Sequence, residues 1–406
     1  MGANRRILFL AGLAVFLTLL GLWLALTRTE RGHGNESSAA PGPTRSARQH
    51  NVQASEVSEP APTTAPPAAP GHASLTNAAD LYRKAFTVLE ALSKDEKDTL
   101  RDWKAEADPL VAAKLCGKLA PIVGLAHEAG AVTNCDWGLG EITFYTPLPH
   151  LNSARSLAQA LVWNAAHCRP AGSGGRGDDL EATLRLGECV SQMLIGHLVN
   201  TAIQGLVMDY LCANAPALPP DAALRMVRLF EDGQYEESVY RGFETEAEIV
   251  DRLASRLASV PPNQLDKEIQ AMFEMGLPEM DPTQVAAALR EVAAMERAYV
   301  QTLNGTEAQY QAWLEKISAA EQTNPFLRLL LPAHEAVVDK TRAVIVRRAM
   351  MAAGLALLQD GPNALLNHPD PASGRPFVYR LTSQGFELES VHPWKGQPVT
   401  MSFRTR

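Results

Sequence analysis

From residue 75 onward, apolar side chains recur every three or four positions, the spacing that gathers them on one face of a helix. Leu81, Ala85, Val88 and Leu92, with Tyr82, Phe86 and Leu89 beside them, form the first such stripe. Ser93 followed by Glu96 has the form of a capping box and predicts a second helix. A third is expected from Pro109 to about Ala129, with Pro121 kinking it. A helix-poor stretch then covers 130–151, after which Asn152 is expected to cap a helix that ends near Cys168.

The segment from Asp178 to Ala213 has a different pattern. Between Val190 and Leu211 it is apolar on nearly all sides, which predicts a single central, buried helix. Its polar exceptions, His197, Asn200 and Gln204, share one face. Each costs about 1–3 kcal/mol if buried without a partner. They therefore point either to hydrogen bonds between helices or to a ligand cavity.

Further helices are predicted over about 220–231, 234–259, 262–275, 282–303, 306–322 and 333–359. Asp281-Pro282 and Asn324-Pro325 each place a capping residue before a proline, a favoured helix start. Asp360-Gly361-Pro362 is a stop. Beyond it the period changes: "RPFVYRL", "GFELESV" and "PVTMSF" are short, rich in β-branched and aromatic residues, and separated by turn residues. They predict a small antiparallel meander, which is not stable alone and needs a helix to cover it. The preceding helix, with Val337, Val344 and Met351, is the nearest cover. Asp370-Pro371 should open a turn that Ser373-Gly374 completes, and Pro376 should launch an edge strand. Phe377, Tyr379 and Leu381 are then expected on one face, with Phe386, Leu388 and Ser390 opposite.

Ahead of the periodic region, residues 7–27 are an uncharged apolar run long enough to cross a bilayer, preceded by Arg5 and Arg6. The run ends without a small-residue cleavage site, so it reads as an uncleaved anchor rather than a signal peptide. Arg28 and Arg31 compete with the arginines before the run, yet the long polar remainder favours an inside amino terminus and an exported body. Residues 28–73, rich in Pro, Ala, Ser and Thr, have too few large apolar side chains to fold and read as a disordered linker. As a coil this linker spans roughly 40 Å.

The fold class expected is therefore mainly α. A transmembrane anchor (1–27) and a disordered linker (28–73) lead into an α-helical body (74–362), and a small β tail (363–406) packs on its last helix.

The chain carries a net charge of −8, and Arg outnumbers Glu by two before residue 74, so the body is about ten units acidic. That disfavours a nucleic-acid footprint and an electrostatic attraction to anionic lipid. Five cysteines, at 116, 135, 168, 189 and 212, contain no C-x-x-C pair and no zinc-type spacing. In an oxidising compartment they allow one or two bridges and leave a thiol over unless it pairs between chains.

Motifs for chemistry are sparse. His127-Glu128 and His334-Glu335 lack the second histidine of a zinc protease and read as surface or capping residues. "GSGGRG" at 172–177 fits a dinucleotide pattern in letters only, since no strand precedes it, and reads as a flexible linker between helices. The stretch "CDWGLGEITFYTPLPHL" is the candidate site: Cys135, Asp136, Trp137, Tyr145 and His150 lie within it. Cys135 with His150 has the composition of a nucleophile and base, which requires hydrogen-bond reach between them. The other reading is a structural plug held by large rings, with Cys135 buried or bridged. His197, Asn200 and Gln204 complete the candidate binding residues. No metal or cofactor is implied.

The tail "DPASGRPFVYRLTSQGFELESV", 370–391, resembles the carboxy-terminal end of the major pseudopilins of type II secretion systems. It departs from them where a calcium-binding loop would follow, because the chain continues into His392-Pro393-Trp394, and the prepilin-peptidase signature is absent. "NAADLY" at 77–82, "CDWG" at 135–138, "LPHL" at 148–151 with Arg155, and "DPASGRP" at 370–376 together resemble a group of anchored, helical, uncharacterised bacterial proteins. That resemblance implies an envelope compartment and a helical architecture, with no catalytic residues to carry over. The functional expectation is a single-pass inner-membrane protein with a periplasmic body that acts as a non-enzymatic interaction or scaffolding protein for other envelope proteins. The alternative is an exported hydrolase or small-ligand binder using the 135–151 loop.

Overall fold

The computed structural model describes residues 77–143, 146–273, 280–303, 307–394 and 396–405. The anchor and linker expected before residue 74 lie outside these residues. Leu75–Arg406 forms one compact unit, mainly helical, with a three-stranded antiparallel sheet at its end.

The helices are α1 (Ala78–Glu90), α2 (Lys94–Leu100), α3 (Pro109–Gly130), α4 (Pro149–His167), α5 (Gly174–Cys189) and α6 (Leu194–Asn214). They continue as α7 (Pro220–Glu231), α8 (Gln234–Ala258), α9 (Pro262–Phe273), α10 (Pro282–Leu303), α11 (Glu307–Glu321) and α12 (Pro325–Asp360). Strands β1 (Val378–Thr382), β2 (Gly385–Trp394) and β3 (Gln397–Arg404) follow, with β2 central.

Local signals account for several boundaries. The Ser93–Glu96 capping box closes in both directions at α2. Asn324 Oδ1 accepts from the amides of Phe326 and Leu327, so α12 begins at Pro325, not near residue 333 as periodicity suggested. Its amino-terminal turns were missed because Pro332 interrupts the pattern, although the helix runs through it. Helix α4 likewise starts at Pro149, where a missing N–H is harmless, and Asn152 lies exposed inside its first turn rather than at the cap.

Two further expectations are corrected. "GSGGRG" is not a flexible linker, because Ser173 is the N-cap of α5 and the helix starts at Gly174. Gly177 lets α5 approach α7 closely: a Cβ there would lie 2.7 Å from that of Ala222. The span 178–213 is two helices, separated at 190–193. Ser191 Oγ donates to the Gly187 carbonyl at 2.7 Å and helps terminate α5. Gly196 makes the return possible, since a Cβ there would collide with the carbonyl oxygen of Val190.

Two hydrophobic cores share the middle helices. The first gathers Tyr82, Phe86, Leu115, Leu119, Ile122, Trp137, Leu157 and Trp163 from α1, α3, the following loop and α4. The second gathers Phe230, Tyr235, Phe243, Leu289, Tyr299, Phe326 and Met350 from α7, α8, α10 and α12, together with the sheet. Helix α6 gives Ile203 to the first and Val207, Met208 and Leu211 to the second. Being buried on two sides is why it is apolar nearly all round.

The tail packs on α12 as its composition requires. Val337, Val344 and Met351 are buried, as are Phe386, Leu388, Val399, Met401 and Phe403 on the sheet. Gly354 leaves a notch filled by the Phe403 ring. Asp370 holds the tail's opening turn: its carbonyl accepts from Gly374 at 2.7 Å, and its carboxylate accepts from Ala372 N and Ser390 Oγ at 2.9 and 3.0 Å. Phe377 is buried, but Leu381 is 78% exposed. The alternation expected for β1 does not appear, since within this edge strand only Tyr379 is half-buried, and the contacts of α12 are with β2 and β3.

Candidate functional site

The "CDWG" stretch is built on "NAADLY" by reciprocal bonds. Asn77, the N-cap of α1, uses its amide twice: Nδ2 donates to the Asp136 carbonyl at 2.7 Å and Oδ1 accepts from Asp136 N at 2.9 Å. Ala78 N donates to the Asn134 carbonyl at 2.9 Å, and Gln192 Nε2 to that of Cys135 at 2.9 Å. The Asp136 carboxylate is turned back on its own loop, accepting from Gly138 N at 2.8 Å. Gly138 and Gly140 both have positive φ, 63° and 62°, which suits glycine and allows the loop to turn.

Trp137 is the loop's anchor. Its indole N–H donates to the Cys189 carbonyl at 2.9 Å, and its ring lies among Tyr82, Phe86 and His150. The His150 ring stacks on it with centroids 4.4 Å apart, and the Arg83 guanidinium lies over it at 5.5 Å. Burial, aided by the Arg83 charge, pushes the His150 imidazole down to about 4, so it is neutral at physiological pH.

Cys135 is bonded to Cys189, with Cα atoms 5.7 Å apart. A second disulfide joins Cys116 on α3 to Cys168 at the end of α4, Cα atoms 5.6 Å apart. Cys212 is the free cysteine, its thiol pushed up to about 12 by burial and then by Asp209. The nucleophile of a Cys135–His150 dyad is a thiolate. Here that sulfur is held in a disulfide, and the dyad is not formed. Tyr145 lies outside the described residues.

The polar face of α6 is fully buried and sits apart from the loop's aromatic cluster. His197 has Ser238 Oγ at 3.3 Å, Thr341 Oγ1 at 3.2 Å and Thr201 Oγ1 at 3.4 Å, so α6, α8 and α12 meet at one ring. Burial alone pushes its imidazole down to about 3. Gln204 Nε2 donates to Asn200 Oδ1 at 3.3 Å and its Oε1 accepts from Arg348 at 2.8 Å. Arg348, only 1% exposed, also donates to the Leu229 carbonyl at 2.7 Å. Asn200 Nδ2 and Arg348 Nε are buried without a hydrogen-bond partner among the described residues. The eight sequence candidates thus fall into two places, Cys135, Asp136, Trp137 and His150 in one and His197, Asn200 and Gln204 in the other, with Tyr145 undescribed.

Two polar centres were missed. Arg348 was legible in principle, since "VIVRRAMMAAG" puts arginines inside an apolar run. Asp179 was not. It is fully buried and accepts from Asn164 Nδ2 at 2.7 Å and Arg169 at 3.1 and 3.2 Å, with His127 Nε2 at 2.8 Å. His127, expected as a surface or capping residue, is instead half-buried and ties α3 to α5 through this carboxylate. The side chain of His334 lies outside the described residues.

Among the described residues, no group of three or more His, Cys, Asp or Glu side chains is placed to hold a metal ion. A surface cleft lined by Glu291, Met295, Trp313 and Lys316 contains none of the sequence candidates. Comparison with protein-family models, curated proteins and solved structures gives no match.

Proposed function

We propose that the protein is an exported, membrane-anchored helical protein that acts by binding other envelope proteins rather than by catalysis. The observation that carries this reading is the pair of disulfides, Cys116–Cys168 and Cys135–Cys189, in one body. Such bonds persist in oxidising compartments outside the cytosol, in keeping with a body exported behind the apolar run at 7–27. The loop that looked most reactive in sequence spends its groups on structure: the sulfur on a bridge, the indole and imidazole on each other, the carboxylate on its own turn. Disulfides spanning 52 and 54 residues stiffen the amino-terminal half of the body, a property suited to a docking platform.

Crosslinking in intact membranes followed by purification tests the proposal. Recovery of a discrete partner is expected, and recovery of this chain alone at every crosslinker length would overturn it. Thiol alkylation in intact cells with and without reductant tests the compartment: Cys116, Cys135, Cys168 and Cys189 should be modified only after reduction.

A further inference from the structure

Helix α3 is long and apolar enough to cross a membrane by length and composition, yet only 28% of its most apolar stretch is buried. One side is committed to the body. Leu115, Leu119, Ile122, Val123, Ala126 and Ala129 lie in the first core, and Cys116 is bridged to Cys168. The other side carries Leu110, 82% exposed, and Val111, 51% exposed, and continues through exposed Ala113, Gly117, Ala120, Pro121 and Gly124. Among the described residues nothing lies within 4 Å of where a Cβ would stand at Gly117 or Gly124, so the face is open at these positions. Its charges are Lys114, one turn from Leu110 and Val111 on the same face, then Lys118, which reaches Glu96, and Glu128 near the end.

The chain itself supplies the argument for what covers this face. The described residues begin at Asn77, the cap of α1, and α1 packs on the committed side of α3. Seventy-six residues precede it, including the uncharged run at 7–27. If that run holds the bilayer and residues 28–73 behave as the coil their composition predicts, the body lies on average roughly 40 Å from lipid. At that distance even a modest apolar face sees lipid at high effective concentration. Pro121 fixes the mode of contact. It cannot donate to the Gly117 carbonyl, and an unsatisfied carbonyl is tolerated where headgroup water reaches it but not in hydrocarbon. Lysines beside an apolar stripe suit the same depth, their stems in lipid and their ammonium groups in water.

We propose that the exposed face of α3 lies in the lipid–water interface of the bilayer that holds residues 7–27, so that the body rests on the membrane through this helix. The proposal rests on the anchored reading above. Its test uses the full chain with Cys212→Ala, carrying Leu110→Cys or, as a control on the exposed β1 edge, Leu381→Cys. Each is labelled with an environment-sensitive nitrobenzoxadiazole maleimide and reconstituted into phosphatidylcholine vesicles. The label at 110 should shift its emission to the blue and be quenched by lipid carrying a nitroxide near the headgroup, while the label at 381 should do neither. A water-like, unquenched label at 110 on protein that resists carbonate extraction would overturn the proposal and leave the anchor intact. A blue shift that persists in detergent without lipid quenching would overturn it in favour of a protein contact. Loss of the chain from vesicles under carbonate would overturn the anchored reading and the proposal with it.

Discussion

Replacing Gly354 with alanine tests how the sheet is held to α12. In isolation that change favours a helix interior, by about 1 kcal/mol. Here the new Cβ would fall within 2.6 Å of Phe403 Cε1 and Cε2, and the ring is 2% exposed with Phe386 stacked 4.9 Å away. Real Cβ atoms do not approach that closely, so the ring has to leave its notch or the sheet has to lift. Overpacking of this kind costs about 1–3 kcal/mol, and partial exposure of a phenylalanine adds some of its roughly 1.5–3 kcal/mol of burial. The net expectation is a loss of about 1–3 kcal/mol. Urea unfolding followed by far-ultraviolet circular dichroism reads it directly. The decisive control is Phe403→Ala, which empties the notch. In that background Gly354→Ala should be neutral or stabilising, because only the propensity gain remains. If Gly354→Ala stabilises the otherwise unaltered protein, the ring is not seated where the structure puts it and the packing argument fails.

Other outcomes follow from the buried groups. Mass spectrometry after alkylation in denaturant without reductant should find Cys212 alone modified, and breaking the bridge between Cys135 and Cys189, separated by 54 residues, should cost up to about 4 kcal/mol on the loop-entropy account. His197 is lowered from 6.5 to about 3, so the unfolded chain binds more protons between those values. Stability should therefore fall as pH drops through that window, by up to roughly 5 kcal/mol, and His197→Gln should flatten the slope in pH-dependent unfolding. Glu246 has the opposite sign: burial, opposed by the Leu194 amide, raises it from 4.5 to about 7. Its contribution is intact below 4.5 and declines as pH rises through 7, so Glu246→Gln should stabilise the body at pH 8 by about 3 kcal/mol and do little at pH 4.

Much of the fold was legible where local rules act alone. The Ser93 capping box, the Asn324-Pro325 start, the stop at Gly361 and the change of period into the tail are each encoded within a few residues and appear in the structure. The misplaced starts of α4 and α12 have a local cause in their prolines, Pro149 and Pro332, and the other misses come from contact at long range. Ser191 and Gln192 are the local sign of a break near residue 190, but two polar residues also fit within a helix, and what makes the break possible is Gly196 passing under the Val190 carbonyl. The glycines of "GSGGRG" look flexible in sequence because their use at Gly177, a close approach to Ala222, is forty-five residues away.

The candidate site shows the same limit more sharply, because residue type marks the cost of burial without identifying the partner. Cys135 announced a thiol, but its partner is Cys189, and no spacing rule chooses among the pairings that five cysteines permit. His197, Asn200 and Gln204 announced a polar face in an apolar helix, and the face exists, with all three fully buried. His197 finds partners in Ser238 and Thr341 and Gln204 in Arg348, up to 144 residues away, while Asn200 pairs with Gln204 on its own helix and its Nδ2 has no partner among the described residues. A helix serving two cores can carry polar groups only where two other helices bring partners to it. Those partners then fix how the helices cross, since an unpaired amide or guanidinium costs several times what a paired one contributes. On this account the polar face of α6 sets the register of α6, α8 and α12, and α12 in turn presents Gly354 to Phe403 and seats the sheet.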